Sequence, residues 1–192
     1  SDAGAIAAAD RVVFPGVGAA AAAMRHLREM RLDTLIVDLV AAGKPFLGIC
    51  LGAQILFDFS EEDAGTPLLG ILPGRVRRLC PVQPRAKVPH MGWHQVTRER
   101  AHPLLDGIPD ASDFYFVHSY FIEPAETQDL LGSTEFGGTR FASMIGRRNV
   151  VATQFHVEKS GPTGLCLLRN FLSWRGCDTA CQPVSVGHRM SV

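Results

Sequence analysis

Phe46-Leu47-Gly48-Ile49-Cys50-Leu51-Gly52-Ala53-Gln54 is an apolar run that breaks on Gly-x-Cys-x-Gly and then resumes with helical spacing. Small residues on both sides of Cys50 permit the sharp strand-to-helix turn of a nucleophile elbow. Such an elbow lifts a thiol above the sheet and sets it at a helix N-terminus, where the dipole favours thiolate. Free cysteine also packs as a small hydrophobe, so a buried structural residue is the alternative. The paired glycines favour the nucleophile.

Strand-like and helix-like patterns alternate through the first third of the chain, as in a parallel α/β sheet. Ala19 to Arg28 is helix-prone, with Ala19 to Ala23 its one low-complexity stretch. In the next helix Asp33 is read as N-cap, Ile36, Leu39 and Val40 as the apolar stripe, and Gly43 as the stop before the Phe46 to Ile49 strand. From Arg75 to Tyr120 the pattern is short strands between Pro/Gly-containing loops. Leu165, Leu168 and Leu172 share one face of a final helix.

A partner for the thiol follows the apolar run Val150 to Thr153, in Gln154-Phe155-His156-Val157-Glu158-Lys159-Ser160. In an extended chain, residues two apart point to the same side, so His156 and Glu158 project together from a strand end. Imidazole then serves as base and acid while the carboxylate orients its ring. A third segment, Arg11 to Gly18, is a short strand running into Pro15-Gly16-Val17-Gly18. Its backbone N–H groups and the amide of Leu51 are candidate donors to an oxyanion. An ordinary strand-to-helix turn is the plainer alternative there.

These three segments, in this order, resemble the class I (triad) glutamine amidotransferases. Lys87-Val88-Pro89-His90-Met91-Gly92-Trp93, Tyr115-Phe116-Val117-His118-Ser119-Tyr120 and Glu158-Lys159-Ser160-Gly161 narrow the resemblance to the glutaminase subunits of imidazole glycerol phosphate synthase, over roughly Asp10 to Leu172. The resemblance implies a flavodoxin-like three-layer α/β/α domain, with Cys50 attacking the glutamine carboxamide, His156 as base and acid, and Glu158 orienting it. It further implies that Gly16, Val17, Gly18 and Leu51 serve the oxyanion or substrate, and that Gln54, Ser119 and Tyr120 line the glutamine site. Taken alone, Gln54 has a plainer reading as an exposed helix residue, and Tyr120 as core. Glutamate would be released and ammonia delivered to a cyclase partner, without metal or organic cofactor. Another synthase's amidotransferase, or an inactive interaction subunit, is the alternative.

Three departures accompany the resemblance. Val157 stands where the family has proline, and His94 where it has asparagine in what reads as a loop. The family also begins with a strand, a loop and a helix ahead of the segment matching Asp10 to Gly18, so the expectation is an N-terminally truncated domain. Residues 1–172 are read as the amidotransferase domain and 173–192 as a disordered tail. In that tail Cys177, Cys181 and His188 fall short of a four-ligand metal site.

Lys plus Arg equals Asp plus Glu at 19 each, which excludes a global basic field for nucleic acid or membrane. Arg75, Arg77 and Arg78 read as a solvated basic cluster. Five widely spaced cysteines, Cys50, Cys80, Cys166, Cys177 and Cys181, suggest reduced thiols in a cytoplasmic setting. No apolar stretch reaches the ~20 residues of a membrane span, and no secretory signal is seen.

Overall fold

The computed structural model describes residues 3–176. Its strands are β1 (Val12–Gly16), β2 (Phe46–Cys50), β3 (Phe59–Ser60), β4 (Thr66–Pro67), β5 (Gly74–Arg78), β6 (His90–Arg98), β7 (Ser112–His118), β8 (Tyr120–Pro124), β9 (Leu130–Phe136), β10 (Thr139–Arg147) and β11 (Val150–Thr153). The helices are α1 (Ala3–Ala8), α2 (Ala20–Glu29), α3 (Leu32–Ala41), α4 (Leu51–Gln54) and α5 (Gly161–Ser173).

One sheet runs β1-β2-β11-β10-β8-β5-β3-β4, with β6, β7 and β9 branching from it. Its β1-β2-β11 part is parallel, in register Gly16↔Cys50 and Thr153↔Ile49. β2 and β11 are buried along their whole length because both faces are covered, whereas β1, at the edge of the sheet, exposes Val13 and Pro15. Phe46, Val150 and Ala152 pack with Met24, Leu27 and Ile36 of α2 and α3, whereas Leu47, Ile49 and Val151 pack with Leu167 and Phe171 of α5. Helices on both faces make the three layers of a flavodoxin-like mixed α/β fold.

Arg11 joins two layers by donating to the carbonyls of Phe171 at 2.8 Å and Trp174 at 2.9 Å, in the last turn of α5 and just past it. Asn149 does the same for α3, donating to Val40 and Lys44 at 3.0 and 2.8 Å.

Several local expectations need correction. Residue Asp33 lies inside the first turn of α3, and the N-cap is Arg31 in left-handed backbone at φ 54°. The stripe on α5 is shifted: Gly164, Leu167 and Phe171 are buried, while Leu165 and Leu172 are 66% and 63% exposed. Three leucines at helical spacing define a face without saying which way it points, and the close approach at Gly164 decided it. His94 sits within β6 rather than a loop, its ring 4.3 Å from that of His90. The basic cluster is solvated as expected, with Arg77 paired to Glu123 at 3.2 Å and Glu61 at 3.4 Å on the surface. Trp174, just past α5, is buried. Residues 177–192, including Cys177, Cys181 and His188, lie outside the described residues.

Candidate active site

Cys50 ends β2 and precedes α4 with φ 53° and ψ −112°, a conformation that a non-glycine residue holds only under tight constraint. The constraint is backbone packing. A Cβ on Gly52 would stand 1.9 Å from the carbonyl oxygen of Phe14, and one on Gly48 would stand 2.7 Å from that of Gly52. The elbow therefore seats directly against β1, leaving no room for a side chain. Neighbouring Gly16 is the register partner of Cys50, so the loop Val17-Gly18 begins beside the thiol.

The strand-and-alternation picture of His156 and Glu158 does not hold, because β11 stops at Thr153 and Val157–Lys159 form a 3₁₀ turn. Side-chain and backbone bonds fix the segment instead. His156 donates its backbone N–H to Tyr115 at 2.8 Å, and Ser160 Oγ donates to the His156 carbonyl at 2.6 Å while accepting from Tyr115 N–H at 3.0 Å. His156 Nδ1 lies 2.7 Å from Glu158 Oε1. The carboxylate fixes the tautomer: Nδ1 carries the proton and donates it, so Nε2 presents a lone pair. That Nε2 is buried with no hydrogen-bond partner. Val157 is fully inside the core, a site that asks for volume rather than for strand propensity.

Cys50 and His156 open onto one cavity of about 280 Å³, together with Val17, Gly18, Leu51, Gln54, Ser119 and Tyr120. Of the expected residues, Gly16 and Glu158 do not line it: Gly16 lies beside Cys50 at the end of β1, and Glu158 stands behind the imidazole ring. Gln54 is buried, not an exposed helix residue, and donates to the Tyr120 carbonyl at 2.9 Å and to Gln154 Oε1 at 3.1 Å. The sequence reading missed Glu62, Val117 and His118, which also line the cavity, and the buried Gln154 beside it. Nothing in the local pattern around Glu62 marks it, since it lies in a charged surface turn 12 residues past the elbow.

The helix start does not make Cys50 a resting thiolate. Its helix is one turn long, and burial pushes the thiol up to about 11, outweighing the Leu51 amide that favours the anion; Glu158 adds to the rise and Lys159 opposes it. The thiol can donate to the Val117 carbonyl at 3.9 Å. A protonated thiol sharing a cavity with a partnerless imidazole nitrogen suits a nucleophile that is deprotonated as it attacks.

The sequence matches the family described as Glutamine amidotransferase class-I over residues 2–174. This chain belongs to that family. Among curated relatives, the amidotransferase is 55% identical over 171 residues to imidazole glycerol phosphate synthase subunit HisH of Nitrosococcus oceani, covering 89% of this chain and 81% of the relative. It is 50% identical to the HisH subunit of Methylococcus capsulatus, over 91% of this chain and 82% of that one. These identities place the amidotransferase in the HisH group and make it a glutaminase subunit. Solved structures agree in fold: PurLQS from Thermotoga maritima matches with TM-score 0.63 at 16% identity, over 85% of this chain and 79% of that one. The glutaminase domain of CTPS from Trypanosoma brucei matches with TM-score 0.56 at 15% identity, over 89% and 74%.

Proposed function

We propose that Cys50, His156 and Glu158 hydrolyse L-glutamine at this cavity and that the ammonia passes to a cyclase subunit, with which the chain forms a heterodimeric imidazole glycerol phosphate synthase. The observation that carries the catalytic assignment is the buried, partnerless Nε2 of His156, held in that tautomer by Glu158 and facing the same cavity as the Cys50 thiol. In the first step the Sγ–H proton moves to Nε2 as sulfur bonds to the carboxamide carbon, and the carbonyl electrons move onto oxygen. Leu51 N–H and the Gly16-Val17-Gly18 backbone supply donors for that oxyanion. The C–N bond then breaks as His156 returns the proton to the departing nitrogen, giving ammonia and a thioester. Water, deprotonated by His156, attacks the thioester and releases glutamate and the thiol.

Glu62 is the acidic side chain of the cavity, and its second oxygen already accepts from Ala20 N–H at 2.7 Å. The other carboxylate edge suits the ammonium of an amino-acid substrate. Gln54, Ser119 and Tyr120 form the wall that receives the rest of glutamine. No helix among the described residues is long and apolar enough to cross a membrane. Free thiols at Cys50, Cys80 and Cys166 suit work in the cytoplasm.

The test is glutamate release, with and without a purified cyclase subunit, by the parent chain and by Cys50→Ser. Turnover that needs Cys50 and rises with the cyclase supports both halves of the proposal. Turnover retained by Cys50→Ser removes the assignment of the nucleophile.

A further inference from the structure

The donors and acceptors around Cys50 can be assigned in only one order. The Tyr120 carbonyl can only accept, so the Gln54 side chain must turn its NH₂ toward it. Gln54 Nε2 also meets Gln154 Oε1 at 3.1 Å, which makes that end of Gln154 the acceptor. The Gln154 NH₂ is thereby turned to the opposite side, where Nε2 stands 3.9 Å from Cys50 Sγ. The same carbonyl of Tyr120 is held from its other side by His118 Nδ1 at 2.8 Å, and His118 Nε2 accepts from His90 Nδ1 at 2.9 Å. Gln154 is fully buried, and its backbone N–H is tied to Ser143 at 2.9 Å.

From this arrangement we propose that Gln154 is a catalytic residue of the glutaminase: its side-chain N–H steadies the Cys50 sulfur as negative charge gathers there, and Gln54 locks that amide in the donating orientation. The inference rests on Cys50 being the nucleophile. Burial disfavours the thiolate at this site, so each donor aimed at sulfur changes its population. Backbone N–H of Leu51 is one such donor and the Gln154 amide is the second. The titratable groups around the sulfur are His156, Glu158 and Lys159 on the segment after β11, His118 at the end of β7, and Glu62 across the cavity. Gln154 itself carries no charge at any pH, so its effect appears as a shift of the Cys50 profile without a new titration.

The experiment uses the full chain and reads the rate of Cys50 alkylation by iodoacetamide against pH, by mass spectrometry of the Cys50 peptide, beside steady-state glutaminase kinetics with the cyclase. Gln154→Met fills similar volume without the donor. It should lower alkylation at pH 8 by about tenfold, move the pH profile upward by about one unit, and lower kcat by a similar factor with KM nearly unchanged. Gln154→Glu keeps the acceptor for Gln54 but replaces the donor by a charge, so its loss should be larger. Gln54→Met should raise KM, because it removes part of the cavity wall, and should also lower Cys50 alkylation by a smaller factor than Gln154→Met, because it frees the Gln154 amide to turn.

A second measurement needs no substitution. With ¹⁵N-labelled glutamine, the Gln154 side-chain resonance should move when Cys50 is alkylated. An unmoved resonance, or an unmoved alkylation profile in a variant that retains the parent's melting temperature, overturns the proposal. Failure of Cys50→Ser to abolish turnover is a separate result that removes the nucleophile assignment instead.

Discussion

The two halves of the site are built by opposite means. The Cys50 half is held by backbone against backbone, with Gly48 and Gly52 pressed so closely on their neighbours that no Cβ fits. The His156 half is held by hydrogen bonds, through Ser160, Tyr115 and Glu158, and its intervening residue simply fills core space. The first kind of scaffold fixes residue type by exclusion, and any enlargement must move a strand. The second fixes a few polar partners and leaves the spacer open, provided volume and backbone angles suit. A half-site built by exclusion leaves a small-residue signature in the sequence, whereas one built by hydrogen bonds is spread over distant positions.

The comparison breaks most sharply at the reacting groups. Cys50→Ser and His156→Ala should each lower glutaminase turnover by about a thousandfold or more, with folding retained, since members of such a unit fail together. Full turnover in either variant would mean that the chemistry is placed elsewhere. Gly52→Ala tests exclusion itself. A Cβ 1.9 Å from the Phe14 carbonyl cannot be relieved by a rotamer change, so a stability loss of about 3 kcal/mol or more is expected in urea unfolding. A near-neutral result would show that the elbow has slack.

Glu158→Gln should cost less than His156→Ala, on the order of ten- to a hundredfold in kcat, because an amide still meets Nδ1 but leaves its tautomer uncertain. Matched kinetics with the reverse ranking would exchange their roles.

Low pH should erode the polar side of the structure. Burial lowers His118 from 6.5 to about 4, partly opposed by its bond to the Tyr120 carbonyl, and lowers His90 to about 3, with His118 and His94 adding to the fall. A depressed histidine stabilises the fold fully above its unfolded value near 6.5, and that stability is lost as pH falls toward the folded value. At about 1.4 kcal/mol per unit, His118 alone accounts for about 3 kcal/mol by pH 4. The melting temperature should therefore fall from pH 6.5 to 4, and His118→Gln should flatten the slope; an equal slope in both proteins would contradict this.

The smallest effect is expected at the spacer. His156 has φ −83° and ψ 98°, angles compatible with a following proline, and Val157 opens the 3₁₀ turn where a proline ring is tolerated. Val157→Pro should change stability by less than about 1 kcal/mol and leave kcat within about twofold. A large loss in either would show that this half of the site is as tightly fitted as the other.

Legibility followed the same division. Gly-x-Cys-x-Gly announced the elbow because close approach of backbones excludes a side chain at both ends of a five-residue span, Gly48 and Gly52. Likewise the apolar runs of β2 and β11 announced a sheet buried on both faces. His156 and Glu158 do meet, as expected, but for a different geometric reason, since a 3₁₀ turn rather than strand alternation brings them together. Gln54 could be placed by resemblance, but its burial was invisible locally. The direction of the α5 stripe was equally invisible, because periodicity does not carry the identity of the facing layer.

The sequence by itself singled out the candidate nucleophile, base and orienting acid and determined the kind of sheet that carries them, since each rests on short-range spacing or on which side chains can do the chemistry. Only the tertiary structure decided the state of the thiol and the company around it. Burial of Cys50 sums over many neighbours, and the Gln54 contact that turns Gln154 toward its sulfur joins positions 100 residues apart. Desolvation and long-range hydrogen bonds belong to the packed chain, so no window of sequence contains them.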